Sequence, residues 1–159
     1  MSLKYTAEEI ERRWLVDITE IGLLADLPVR QIEDRYLRST GLRLRKVLAA
    51  GSPTTYKLGK KYGKSTLLSE PVVSVYLTES EYAVLSALPA TAASKARYTL
   101  RGGSLDIYRS PRPGFAVFEV EFAAEAEAGA YTPPAFTREE ITGNASYSGF
   151  ALSIATAVD

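Results

Sequence analysis

Four short runs of like charge at alternate positions are the parts of this 159-residue sequence that could do chemistry. Glu9 and Glu11 are followed by Arg13. The same spacing recurs at Arg43 and Arg45, at Lys95 and Arg97, and at Glu119 and Glu121. Residues i and i+2 of a strand share a face, so each pair would set two like charges side by side. The other face is apolar: Ile10 and Trp14 (with Arg12 as an exception), Leu42 and Leu44, Ala96 and Tyr98, then Phe118, Val120 and Phe122. An antiparallel sheet with one wet face gives such alternation as well. A wet face, however, usually mixes its signs along each strand, and here the signs are sorted. Like charges so placed repel unless something of opposite sign lies between them. A divalent cation would satisfy Glu-x-Glu, and a polyphosphate would satisfy Arg-x-Arg and Lys-x-Arg.

Composition narrows the chemistry further. The chain has no Cys and no His, which removes disulfides, thiol nucleophiles, Cys or His zinc sites and the Ser-His-Asp triad. Any metal site must be made of oxygen ligands, and these favour Mg²⁺, Mn²⁺ or Ca²⁺. Lys plus Arg number 19, as do Asp plus Glu, so net charge gives no reason to expect nucleic acid or an anionic membrane as partner. The apolar stretches are short and broken by charge, so none spans a bilayer. Without an apolar secretory core near Met1 and without cysteine, the expected location is the cytoplasm.

The elements that must position these charges are mainly strands, and the length suits one domain over residues 1–159. Strands are expected at Glu8–Val16, Gln31–Ser39, Leu42–Ala49, Thr54–Lys60, Leu67–Leu77, Ser94–Leu100, Leu105–Arg109 and Phe115–Ala123. Thr40-Gly41, Gly51-Ser52-Pro53 and Ser110–Gly114 supply turns. Thr78 with Glu81 forms a capping box that opens a helix ending near Pro89. Thr137 with Glu140 predicts a second capped helix, and Phe150–Val158 a third. Ala123–Ala130 reads as a surface connection. Lys60, Lys61 and Lys64 read as a solvated hairpin tip able to draw anions, and Asp106 as a solvated strand position, with an inward-facing carboxylate as the alternative.

These residues also carry a family resemblance. Glu9-Ile10-Glu11-Arg12-Arg13, followed by Trp14-Leu15-Val16, resembles the Glu-x-Glu-x-Lys opening of the CYTH superfamily, the triphosphate tunnel metalloenzymes. Ile32–Leu37 and Gly41–Arg45 are similar to its second and third strands. Tyr56-Lys57 stands where the family has a strand lysine. Lys95-Ala96-Arg97-Tyr98 resembles its basic strand, and Glu119-Val120-Glu121-Phe122 its late Glu-x-Glu. Glu140-Ile141-Thr142 and Tyr147-Ser148 match a later feature. The similarity runs from about Glu9 to Tyr147, and its specificity lies in the order of six weak motifs. Three features depart from the pattern. Arg13 replaces a lysine, only Glu70 remains of a mid-chain Arg-x-Glu-x-Glu, and Phe150–Asp159 holds no lysine.

The resemblance implies a mainly β (α+β) fold: an eight-stranded antiparallel closed barrel around a polar tunnel, with a few short covering helices. It implies metal-dependent hydrolysis of a triphosphate, with Mg²⁺ or Mn²⁺ held by Glu9, Glu11, Glu119 and Glu121. Arg13, Arg43, Arg45, Lys57, Lys95 and Arg97 would grip the phosphates. Glu11, orienting the attacking water, and Lys95, facing the leaving group, are the catalytic candidates. The expected partner is a small-molecule triphosphate or polyphosphate, with a homodimer as the candidate assembly. Adenylate cyclisation, thiamine triphosphate hydrolysis and a non-enzymatic polyphosphate- or nucleotide-binding module are the alternatives.

Overall fold

The computed structural model describes residues 3–154. Nine strands form one antiparallel sheet: β1 (Ala7–Val16), β2 (Val29–Leu37), β3 (Leu42–Ala49), β4 (Thr55–Lys61), β5 (Ser69–Leu77), β6 (Ala90–Leu100), β7 (Gly103–Ser110), β8 (Ala116–Phe122) and β9 (Thr137–Glu140). The order is β5-β4-β3-β2-β6-β7-β8-β1-β9, and β5 also pairs with β1. That pairing closes an eight-stranded barrel, with β9 added beside the far half of β1. An eight-stranded barrel has room inside for side chains or one small ligand.

β1 is the seam. Its first half pairs with β5 (Glu9 opposite Glu70) and its last residues with β9 (Trp14 opposite Glu140). Its other edge pairs with β8, so that Glu11 faces Glu121 and Arg13 faces Glu119. These pairings set the acidic runs of β1 and β8 side by side.

The apolar alternates point outward. Trp14, Leu105, Ala116, Phe118 and Val120 form the main core, covered by Ile21 and Leu24 from the β1–β2 connection and by Tyr131 and Phe136 ahead of β9. The cover is therefore largely irregular chain. Arg12, the exception in the alternation, sits on this wall with its charge fully used. It makes a bidentate pair with Glu140 (2.8 and 2.7 Å), donates to the Ala128 and Tyr131 carbonyls, and lies 4.9 Å over the Trp14 ring.

Three short helices complete the fold: α1 (Glu79–Ser86), α2 (Glu125–Ala130) and α3 (Gly149–Ile154). The Thr78–Glu81 capping box of α1 is present in full. Three expectations are corrected. Ala123–Ala130 is not a plain connection, because Glu125–Ala130 is helical and buries Ala128 against the wall. Thr137–Glu140 is a strand rather than the capped start of a helix. The Thr137 hydroxyl donates to the Pro134 carbonyl (2.7 Å), and Glu140 is spent on Arg12, while the edge of β1 left open beyond β5 takes the segment up. β6 starts at Ala90 rather than Ser94, since it pairs with β2 along its whole length. Of the expected helix Phe150–Val158, the part to Ile154 is helical, and residues 155–159 lie outside the described ones. Among the described residues, no helix is long and apolar enough to cross a membrane.

The two ends of the packing range can be tested at glycines. A Cβ at Gly103 would lie 2.6 Å from the Glu119 carbonyl and 2.7 Å from the Phe118 ring, whereas one at Gly129 in α2 would meet nothing within 4 Å. Gly103→Ala should cost about 2 kcal/mol by overpacking, and Gly129→Ala should gain up to about 1 kcal/mol by helix propensity. Urea unfolding of both variants checks the opposite signs.

Candidate active site

The barrel encloses a cavity of about 550 Å³ whose wall includes Glu9, Glu11, Arg13, Arg43, Arg45, Lys95, Arg97, Glu119 and Glu121. Strand alternation and register thus bring the sorted charges into one lumen. Lys57 is the exception among the candidates. It shares a face with Gly59 and Lys61, but lies short of the cavity, with its ammonium 5.0 Å over the Tyr76 ring. Glu70, Lys60, Lys61 and Lys64 also line the cavity, so the two lysines that end β4 and the one in the β4–β5 connection belong to the site.

The basic strands are held apart by two aspartates that sit behind them. Asp34 on β2 lies opposite Arg45 on β3 and receives a bidentate pair from it (2.7 and 2.8 Å), with Arg43 3.9 Å away. Asp106 on β7 lies opposite Arg97 on β6. It takes 2.7 and 2.8 Å bonds from Arg97 and a 2.5 Å bond from Lys95. Asp34 is 3% exposed and Asp106 only 1%, so the expectation of a solvated Asp106 is corrected. Burial pushes both carboxyls up. The cations outweigh it, Arg45 at Asp34 and Lys95 with Arg97 at Asp106, and hold both below the usual carboxylate range. Each aspartate pins the guanidinium geometry and cancels part of its charge.

Glu119 bridges the two ends of the cavity. It pairs with Arg97 and lies 3.7 Å from Arg13, whose Nη1 also donates to the Tyr147 carbonyl (2.9 Å). Burial raises the Glu119 carboxyl, but Arg97 overrides this and the net shift is downward. Arg43 is held more loosely than Arg45, 3.9 Å from Asp34 and with its buried Nε lacking a hydrogen-bond partner.

The acidic end is different. Glu11 is buried, and that burial raises its pKa, offset in part by Lys61 and reinforced by Glu119 and Glu9. Lys61 contacts Glu9 and lies 3.4 Å from Glu11 and 3.9 Å from Glu70. Glu121 is exposed at the rim. These donors are all oxygen and fit a hard divalent cation in type. Among the described residues, no three carboxylates stand close enough together to hold an ion as they are. They are gathered around an ammonium instead.

The segment before α3 and the start of α3 roof the cavity, with Asn144 and Ser148 from the first and Gly149 and Phe150 from the second on its wall. Leu152 of α3 packs on Ala93 and Tyr108, and the Ser153 and Thr91 hydroxyls lie 2.6 Å apart. The Gly149 backbone passes so close to Tyr36 that a Cβ there would fall 1.9 Å from the phenol oxygen. One stretch of wall carries no charge: Gly59, Val72 and Ser74 on β4 and β5.

No known family's sequence model and no curated protein sequence matches this chain. Solved structures do. The crystal structure of the hypothetical protein NE1496 is 25% identical with a TM-score of 0.60, covering 94% of this chain and 99% of that one. A second crystal structure, of NE1496 described as an inorganic triphosphatase, is 24% identical with a TM-score of 0.58 over 95% and 97%. The PH1012 protein from Pyrococcus horikoshii OT3 follows at 16% identity and a TM-score of 0.52, over 76% and 83%. The resemblance read from the motifs therefore holds at the level of the fold: this chain has the closed barrel of a protein named an inorganic triphosphatase.

Because the Asp34 carboxyl is held below its unfolded value, its contribution is complete above about pH 4 and is lost as pH falls through the lower folded value. Asp34→Asn leaves Arg45 buried without a counter-charge and should cost about 3 kcal/mol at pH 7. The gap to the parent should narrow as the parent's own Asp34 protonates. Urea unfolding at pH 7 and pH 3 measures both.

Proposed function

We propose that this protein hydrolyses a triphosphate inside the barrel, with a divalent cation, Mg²⁺ or Mn²⁺, as cofactor. The observation that carries this reading is the cavity's charge inventory. Eight of its lining side chains are Lys or Arg and five are Glu, with Asp34 and Asp106 directly behind. The site as a whole is thus close to neutral. A triphosphate brings about four negative charges, more than such a cavity can match alone, and its phosphoryl transfer needs electrostatic stabilisation above all. A substrate arriving with its own cations meets that balance. The barrel shared with a protein named an inorganic triphosphatase supports the same reading at the level of fold.

In this reading Arg43, Arg45, Lys95 and Arg97 bind the phosphate oxygens, and Arg13 joins them from β1. The aspartates keep these cations preorganised, so little is lost in ordering them at the moment of reaction. Glu9, Glu11 and Glu121 would hold the cation, with Glu119 shared between it and Arg97. When bound, the cation supplies charge neutralisation on the phosphates and a lower pKa for water. The chain's own candidate to orient the attacking water and take its proton is Glu11. Water oxygen attacks the terminal phosphorus, its proton passes to Glu11, and the bond to the bridging oxygen breaks. Lys95 and Arg97 face the negative charge that develops on the departing diphosphate.

The uncharged wall at Gly59, Val72 and Ser74 supports an organic triphosphate beside the inorganic one, because it would accept a neutral group without stranding a charge. Incubating the protein with tripolyphosphate, ATP and thiamine triphosphate, then measuring phosphate, diphosphate and cyclic AMP, ranks these substrates. Binding without turnover would leave a binding module.

Grip and chemistry separate by variant. Arg43→Ala should weaken tripolyphosphate binding and kcat/KM about ten- to hundred-fold, the loss of one charge-assisted contact. Glu11→Gln should abolish turnover while leaving tripolyphosphate binding in EDTA intact or tighter, since it relieves repulsion with the anion. Calorimetry alongside phosphate release checks both. Parent-like binding by Arg43→Ala, or parent-like turnover by Glu11→Gln, would reverse the assignment.

A further inference from the structure

Lys61 ends β4, and alternation with Gly59 turns it into the cavity. The register of the seam sets Glu9 of β1 directly opposite Glu70 of β5, with Glu11 two residues along the same face of β1. Like charges directly opposite on neighbouring strands are destabilising. Among the described residues, the one cation paired with all three is the Lys61 ammonium, within 3.9 Å of an oxygen of each. It stands where an ion held by β1 and β5 would have to stand. Its side chain is nevertheless 41% exposed, on a flexible four-carbon stem beside Lys60 and Lys64 at the cavity mouth. The contact is strong enough to gather the carboxylates and exposed enough to be given up.

We propose that Lys61 is a built-in counter-ion for Glu9, Glu11 and Glu70, which a divalent cation must displace in order to bind. This rests on the reading of Glu9 and Glu11 as cation ligands. Displacement frees an ammonium at the wall of a cavity that is to hold an anion, so a bound polyphosphate gives Lys61 a new partner. Cation and polyphosphate should then strengthen each other's binding by the same factor. In the empty protein Lys61 keeps the carboxylates neutralised and the cation affinity low.

The test is Mn²⁺ binding by calorimetry to the substrate-free parent, Lys61→Met and Lys61→Arg. Lys61→Met should bind Mn²⁺ about tenfold more tightly, the combined weight of these partly exposed ion pairs. Lys61→Arg keeps the charge and should stay within about twofold of the parent. Thermal unfolding gives a second readout. In EDTA, Lys61→Met should melt below the parent, and saturating Mn²⁺ should raise its Tm by more than it raises the parent's. If Lys61→Met does not fold in EDTA, adding Glu70→Gln relieves the repulsion, and the double variant is compared with Glu70→Gln alone. Unchanged or weaker Mn²⁺ binding by Lys61→Met, with the parent binding normally, overturns the counter-ion role and leaves the cation reading standing. No Mn²⁺ binding by the parent or by any variant removes both.

Discussion

Charge inside a closed barrel has nowhere to go. Eight strands shut the lumen off on all sides, so every like-charged pair that alternation turns inward must find an opposite charge there. Asp34 and Asp106 meet this demand for the basic strands. Each is nearly fully buried, sits directly across a strand from an arginine, and binds it through two bonds. Without them, four cations on two strands would face one another across the cavity. With them, the guanidinium planes are fixed while their outer edges still face the lumen. The same aspartates cancel part of the positive charge of the basic wall.

The acidic half obeys the same rule with looser means. Among the described residues, no buried cation forms an ion pair with Glu9, Glu11 or Glu70. Their neutralisation comes from the end of a flexible lysine at the mouth. One side of the lumen is thus braced by short, buried, planar contacts, and the other by a long, half-exposed one. That asymmetry fits the different tasks proposed for the two sides, rigid phosphate grip against exchangeable cation binding.

Much of this was legible in the sequence because strand alternation is a local rule. Glu9, Glu11, Arg43, Arg45, Lys95, Arg97, Glu119 and Glu121 all reach the lumen as their spacing requires. Asp34 and Asp106 were not legible, because their partners lie 11 and 9 residues away across a hairpin, and only the register makes them neighbours. Lys57 and Lys61 share one face, so alternation could not choose between them. The choice depends on how far along β4 the cavity extends, which the stagger of the closed barrel sets. Thr137 to Glu140 carried a local signal for a helix start and became a strand because a distant edge stood open.

The seam strand carries a consequence for how the molecule forms. β2 to β5 and β6 to β8 pair mostly with near neighbours in the chain, but β1 finds partners only in β5, β8 and β9, and its Arg12–Glu140 pair spans 128 positions. Contacts of such long range form slowly, because a large loop must close before they are made. Until β1 docks, the remaining strands are an open sheet with two bare edges, β5 and β8, each a template for pairing with another chain. The strand that brings Glu9, Glu11 and Arg13 is therefore also the one that protects the protein from its own copies. A mutation that weakens its docking would show first as aggregation during refolding, before any loss in the folded molecules that remain.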